Sequence, residues 1–264
     1  MELKIVFSDV DGTLLNSEHK MLDGTKYAIQ KLQKKDIPFV IISARSPSGI
    51  YPILEENGFT CPIICYSGAL ILDENKNTVY SSGFNREIAE KVISFIEKEN
   101  FDCCWNLYSG DNWIVKDKSD ERVITEENIV KTEAVRGSAE SLSIDAKIGK
   151  ILCICNPEKT DEIENKIKKN FPDLSVVKSF HTMIEIMAPG ITKGSAVLEL
   201  CRLWNIDVKR AAAFGDNFND VEMLEEVGFP FLMGNAPAEL KRCFTNITDS
   251  NNDEGIYKAL VKIG

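Results

Sequence analysis

With 264 residues, 44% of them hydrophobic and 27% charged, the chain has material for one large globular domain or two smaller ones. A net charge of −10 argues against a nucleic-acid partner, which needs a basic face for phosphate contacts, but leaves room for a small anion held by a local cation or metal. No apolar run approaches the roughly 18 residues of a membrane span, and no leader-like segment precedes the first strand, so a soluble, cytoplasmic protein without a membrane partner is expected.

Taken in order, Leu3 to Phe7 reads as a short buried strand, apolar except for Lys4, and it ends where Asp9 and Asp11 arrive. On an extended backbone residues i and i+2 point the same way, so both carboxylates face one pocket. Two such neighbouring charges call for a counter-charge, and a divalent cation with oxygen ligands is the usual one. Asp11-Gly12 is equally readable as a plain turn. A helix is expected over Asp23 to Lys35 and a second buried strand over Pro38 to Ile42. Ser43-Ala44-Arg45-Ser46-Pro47 follows, with a helix running from there to Asn57-Gly58. Pro62 to Tyr66 is a third strand, and Ala69 to Asp73 with Thr78 to Ser82 a small hairpin. Strand, helix, strand, helix, strand with short connections predicts parallel strands and right-handed crossovers.

Near Gly83 the rhythm changes. Helices are expected over Glu87 to Glu99, Asp120 to Val130 and Lys159 to Asn170. Strands are expected over Asp102 to Leu107, Trp113 to Lys116, Lys150 to Cys155, Ser175 to Lys178 and Met183 to Met187. Trp105, Tyr108 and Trp113 can line a pocket in this insert or belong to its core, and core is the commoner fate of such aromatics. Of the eight cysteines, Cys61, Cys65, Cys153 and Cys155 lie in strand-like apolar runs and read as buried free thiols, and no C-x-x-C pair occurs. After Pro189-Gly190 the βα rhythm resumes with helix Lys193 to Trp204, strand Arg210 to Phe214, helix Asn219 to Val227, strand Pro230 to Met233, and helices Pro237 to Arg242 and Glu254 to Val261. The expected fold is therefore α/β: a Rossmann-like, doubly wound parallel-sheet core of residues 1–84 and 188–264, interrupted by an α+β domain of residues 85–187.

The returning part carries a second acidic site, Gly215-Asp216-Asn217-Phe218-Asn219-Asp220, directly after the strand ending at Phe214. In an open parallel sheet the carboxyl ends of neighbouring strands converge on one crevice, so Asp216 can meet Asp9 and Asp11 there. Asn219 and Asp220 are expected on a first helical turn, where N–H groups also favour anions. Ser43 stands at another strand end, where its hydroxyl and adjacent N–H groups, that of Ala44 among them, can hold a phosphate oxygen or simply cap a helix. Lys193 opens a helix, where a cation opposes the dipole and calls for a compensating anion.

In this order the four pieces, Asp9-Val10-Asp11-Gly12-Thr13, Ser43, Lys193 and Gly215-Asp216 with Asp220, resemble the haloacid dehalogenase superfamily. Asn219-Asp220 and the large insert between Ser43 and Lys193 look like its Cof-type subfamily with a C2B cap, as do Met233-Gly234-Asn235-Ala236 and Thr248-Asp249 through Asp253-Glu254-Gly255. The chain departs from the subfamily at Ser43-Ala44-Arg45, where Thr-Gly-Arg is usual, and at Ser67-Gly68-Ala69, where Asn-Gly-Ala is usual. Ala44 would be costly there if the backbone needs φ > 0. The resemblance implies a phosphatase of small phosphorylated metabolites, sugar phosphates first, working as a monomer or homodimer. Asp9 would be the nucleophile and Asp11 the general acid and base. Mg²⁺ would be held by Asp9, the Asp11 carbonyl and Asp216, with Asp220 steadying the metal shell or Lys193. Lys193, Ser43, Ala44 and Asn219 would hold the phosphoryl group. A phosphomutase, or a metal- or phosphate-binding regulator without turnover, would use much of the same site.

Overall fold

A computed structural model describes residues 2–263 and divides the chain into two compact units: residues 1–44, 52–79 and 192–264, and residues 45–51 with 80–191. In the first unit seven strands form one sheet in the order Phe229–Leu232, Ala211–Gly215, Ile5–Ser8, Phe39–Ile42, Ile63–Cys65, Leu70–Leu72, Thr78–Ser81. The first five are parallel, and Leu70–Leu72 returns antiparallel to Ile63–Cys65. Ile5–Ser8, Phe39–Ile42, Ile63–Cys65 and Ala211–Gly215 are buried at every position, as parallel strands covered on both faces must be. Helices Asp23–Gln33, Lys193–Leu203, Val221–Glu226 and Gly255–Ile263 bury apolar stripes, among them Ala28, Ile29 and Leu32 on the first and Ile256, Ala259 and Leu260 on the last. This is the doubly wound fold expected from the alternating pattern. Strand order reverses at Ile5–Ser8, which pairs with Phe39–Ile42 on one side and Ala211–Gly215 on the other, and ligands of such sheets bind at that reversal.

In the second unit six strands are ordered Ser175–Phe180, Met183–Met187, Lys150–Cys155, Cys103–Ser109, Asn112–Val115, Val135–Arg136. All neighbours are antiparallel except the last pair. Helices Arg86–Lys98 and Thr160–Asn170 lay Ala89, Val92, Ile93, Ile96, Ile163 and Ile167 into a core with Leu107, Ile151 and Ile184. Trp105 belongs to that core, with its indole N–H donating to Glu97 at 3.1 Å. Tyr108 and Trp113 stack at 5.6 Å and are also buried, the Trp113 N–H donating to Asn106 at 2.9 Å.

Two helices differ from expectation. The stretch after Ser43 does not run straight into a helix: a 3₁₀ turn, Pro47–Gly49, capped by Ser46, precedes the short helix Tyr51–Asn57. Pro47 and Pro52 each lack the N–H that a continuous helix requires, so each stands in a first turn. Likewise Asn219 and Asp220 lie in a 3₁₀ turn, Phe218–Asp220, whose N-cap is Asn217, and the helix proper is Val221–Glu226. Three two-residue strands, Phe84–Asn85, Val135–Arg136 and Lys147–Ile148, are too short to show an alternating pattern in sequence. All eight cysteines are free, with Cys61, Cys65, Cys153 and Cys155 buried as expected. No helix among the described residues is long and apolar enough to cross a membrane.

Candidate active site

Strand Ile5–Ser8 pairs in register with Ala211–Gly215, Ser8 opposite Phe214, so the residues that follow each strand emerge side by side. Asp9 is fastened there by its N–H to Phe214 O at 3.0 Å. Asp216 follows Gly215 one step further along the neighbouring strand. Lys193 reaches this point as the first residue of helix Lys193–Leu203, whose start is set by a capping box between Thr192 and Ser195.

The Lys193 ammonium is 1% exposed and donates to Asp9 Oδ1 at 2.5 Å and to Asp220 Oδ1 at 2.6 Å. The anions that offset its place at a helix N-terminus are thus the protein's own carboxylates. Asp220 is fully buried, and its other oxygen accepts the N–H groups of Asp216 and Asn217 at 2.9 and 3.0 Å, closing the 3₁₀ turn on itself. Gly215 is required beside it, because a Cβ there would lie 2.4 Å from Asp220 Cβ.

Asp216 accepts from Thr13 Oγ1 at 2.9 Å, and the Asn235 amide donates to Gly12 O at 2.8 Å. Neither Thr13 nor Asn235 carries a role on sequence grounds, although Asn235 lies just beyond the end of strand Phe229–Leu232 and so shares the crevice by the same rule that finds Asp216. Gly12 adopts a φ of 78°, and a Cβ there would stand 2.4 Å from an Asp216 oxygen. Sequence pattern and sterics agree that only glycine fits.

Burial pushes the Asp9 carboxyl up to about 7, against the opposing pull of Lys193 and with further upward pressure from Asp220. Burial likewise raises Asp216 to about 6, with Thr13 working against it and Asp220 adding to it. Burial disfavours the Lys193 ammonium, yet Asp9 and Asp220 outweigh it and its pKa is raised. Asp9, Asp216 and Asp220 each place an oxygen within 4.8 Å of the others. Three carboxylates against one lysine leave an excess of negative charge, and the donors are all hard oxygens, so the cluster suits a small divalent cation.

The remaining expected residues lie on the same end of the sheet. Asp11 is exposed and adds to the negative field at Asp216. Ser43 is buried at the end of Phe39–Ile42, where its N–H donates to Ile64 O at 2.9 Å. Ala44 is not among the residues with positive φ, so the departure from glycine there carries no backbone strain. The strain lies instead at Tyr66, Ser67 and Gly68, with φ of 52°, 54° and 129°. Gly68 must be glycine, since a Cβ would meet Thr192 O at 2.8 Å. Ser67 holds a left-handed conformation that asparagine tolerates better, tied by its N–H to Ser43 O at 2.9 Å. Asn219 is exposed in its 3₁₀ turn.

A doubly wound sheet whose reversal point carries a buried carboxylate–lysine–carboxylate array beside a third carboxylate defines a Rossmann-like α/β core equipped for anionic substrates. The sequence model of haloacid dehalogenase-like hydrolases matches residues 6–260, and the chain belongs to that family, bearing out the resemblance drawn from its motifs. It is 37% identical over 257 residues to a Haemophilus influenzae protein named "Putative phosphatase", covering 97% of this chain and 96% of that one. It is 26% identical over 263 residues to the 5-amino-6-(5-phospho-D-ribitylamino)uracil phosphatase YcsE of Bacillus subtilis, covering 98% and 95%. The crystal structure of TM0651 from Thermotoga maritima superposes with a TM-score of 0.89 at 27% identity, covering 99% of this chain and 98% of that one.

Proposed function

We propose that the chain is a Mg²⁺-dependent phosphohydrolase of small phosphorylated metabolites, sugar and polyol phosphates above all, acting through an aspartyl phosphate on Asp9. The observation that carries this reading is Lys193, buried between Asp9 and Asp220 and next to Asp216. A structural salt bridge has no need of a third carboxylate on the same crevice, whereas phosphoryl transfer needs a nucleophile, a cation beside it and a metal-binding acid.

Asp9 would attack phosphorus with a carboxylate oxygen while the ester P–O bond breaks, and Asp11 would give its proton to the leaving alkoxide. Asp11, now a carboxylate, would take a proton from water as that water attacks the phosphoryl group, releasing phosphate and restoring Asp9. Lys193 favours the ionised form of Asp9 against its burial and would balance charge on the transferring oxygens. Asp220, with both oxygens engaged, acts as the group that holds Lys193 and the Asp216 backbone in place. Ser43, Ala44 and Asn219 would take the outer phosphoryl oxygens. Asp9, Asp216 and the Asp11 carbonyl would hold Mg²⁺, which when bound supplies positive charge against the phosphoryl group.

The ribityl phosphate in the name of the Bacillus relative supports a polyhydroxylated leaving group. Every residue given a chemical role lies in the first unit, so residues 80–191 are left the task of a cap that selects the leaving group. The test is phosphate release from a panel of phosphate esters with Mg²⁺, with EDTA, and with Asp9→Asn. Mg²⁺-dependent release that Asp9→Asn abolishes is expected. Full activity in excess EDTA, or an isomerised ester without free phosphate, would overturn the reading.

A further inference from the structure

In the second unit Cys103 stands directly opposite Cys155 on the antiparallel strands Cys103–Ser109 and Lys150–Cys155. The ladder bond falls on the neighbouring pair, Asn156 N–H to Asp102 O at 3.0 Å. Cys155 N–H turns the other way, to Thr182 O at 2.7 Å, and Cys103 N–H donates to Phe101 O at 2.8 Å. Cys103 and Cys155 therefore form a non-hydrogen-bonded pair, the kind whose Cα atoms stand about 4.5 Å apart. That lies within the roughly 4.4–6.8 Å that a disulfide spans. The Asn156 side chain also bonds Asp102, at 3.0 Å, so the strands are tied immediately beside the two cysteines and cannot splay.

The thiols of Cys153 and Cys155 both lie against the Cys103 sulfur, and the Cys155 S–H is placed to donate to Cys153 O at 3.7 Å. These two neighbours, helped by the Arg122 guanidinium, hold the Cys103 thiol below its ordinary value despite partial burial and the nearby Asp102 carboxylate. Cys155 and Cys153 are shifted up by the same contact and by burial. Cys103 is also the accessible member: it is part-exposed and lines a cavity of about 220 Å³ with Asn100, Phe101, Lys116 and Asp117, while Cys155 is buried. Cys104, next in the chain, faces the other side of the sheet and takes a contact from the Asn106 amide.

We propose that Cys103 and Cys155 form an oxidisable dithiol site, which a two-electron oxidant of the peroxide class converts to a cross-strand disulfide. The Cys103 thiolate attacks one peroxide oxygen, the O–O bond breaks, and water leaves after proton uptake, giving a sulfenic acid. The Cys155 sulfur then attacks the Cys103 sulfur, the S–S bond forms, the S–O bond breaks, and the hydroxyl leaves as a second water with the Cys155 proton. One peroxide is reduced to two waters as two thiols become one disulfide.

The test uses the full chain, treated natively with equimolar hydrogen peroxide, quenched with catalase, denatured, blocked with N-ethylmaleimide and digested with trypsin without reduction. Mass spectrometry is expected to find residues 99–116 joined to residues 151–159, lighter by two hydrogens than the separate peptides. Fragmentation should place the bond between Cys103 and Cys155, with Cys104 and Cys153 carrying the maleimide, and dithiothreitol should release it. Cys104→Ser should keep the cross-link and Cys103→Ser should lose it. Eight labelled thiols after oxidation, or a bond through Cys104 or Cys153, would overturn the assignment.

Discussion

Asp220→Ala removes the carboxylate on which three donors converge: the Lys193 ammonium at 2.6 Å on one oxygen, and the Asp216 and Asn217 N–H groups at 2.9 and 3.0 Å on the other. Asp220 is 0% exposed and Lys193 1%, so water cannot replace the lost partner without opening the crevice. Removing one member of a buried pair costs about 3–5 kcal/mol, and each orphaned buried donor adds about 1–3. These contributions overlap, because Lys193 retains Asp9 at 2.5 Å, so a total loss near 3–5 kcal/mol is expected. At about 2–4 °C per kcal/mol for a domain of this size, the melting transition of the first unit should fall by roughly 6–20 °C. Asp220→Asn keeps an acceptor for the two N–H groups but turns an amide donor toward the ammonium, so it should cost less, about 1–3 kcal/mol. In a Lys193→Met background the share of the Asp220→Ala cost that comes from the ammonium should disappear, since no buried cation remains to be satisfied, while the two N–H groups stay orphaned; the double-mutant cycle measures that share. Calorimetry of the parent, the three single variants and the Asp220→Ala/Lys193→Met double variant, with circular dichroism to confirm folding, is the assay. If Asp220→Ala melts within about 1 kcal/mol of the parent, the Lys193 site is hydrated and the buried-array reasoning is wrong.

In steady-state phosphate release, Asp11→Asn should lower kcat by about 10²- to 10⁴-fold, most for esters with poor leaving groups; an equal loss on good and poor leaving groups would remove it as the proton donor. Gly12→Ala should cost more than the roughly 0.4–1 kcal/mol by which such a change can stabilise a compatible site, because φ is 78° and the new methyl meets Asp216 at 2.4 Å. A melt unchanged or raised would show that this turn relaxes freely. Trp105→Ala should destabilise the second unit by about 3–5 kcal/mol while leaving the ranking of substrates by kcat/KM unchanged, since the ring is buried among core side chains. A reordered substrate ranking in a folded variant would place Trp105 in substrate selection.

The alternation of buried strands with amphipathic helices, broken near Gly83 and resumed after Gly190, is a local pattern, so the sequence by itself determined the doubly wound core and the α+β insert. It also determined that Asp9 and Asp216 emerge together, because strand ends of a parallel sheet converge wherever the strands are adjacent. Periodicity carries no information on how a hydrogen-bonding group is spent across the fold. Only tertiary structure revealed that Lys193 is buried between Asp9 and Asp220, that the Ser43 N–H is taken by Ile64, that Thr13 and Asn235 brace Asp216 and Gly12, and that the backbone strain falls on Ser67 rather than Ala44. The same limit applies to Cys103 and Cys155. Fifty-two positions separate them in the chain, and register alone, set by which amides of two antiparallel strands find partners, puts them face to face.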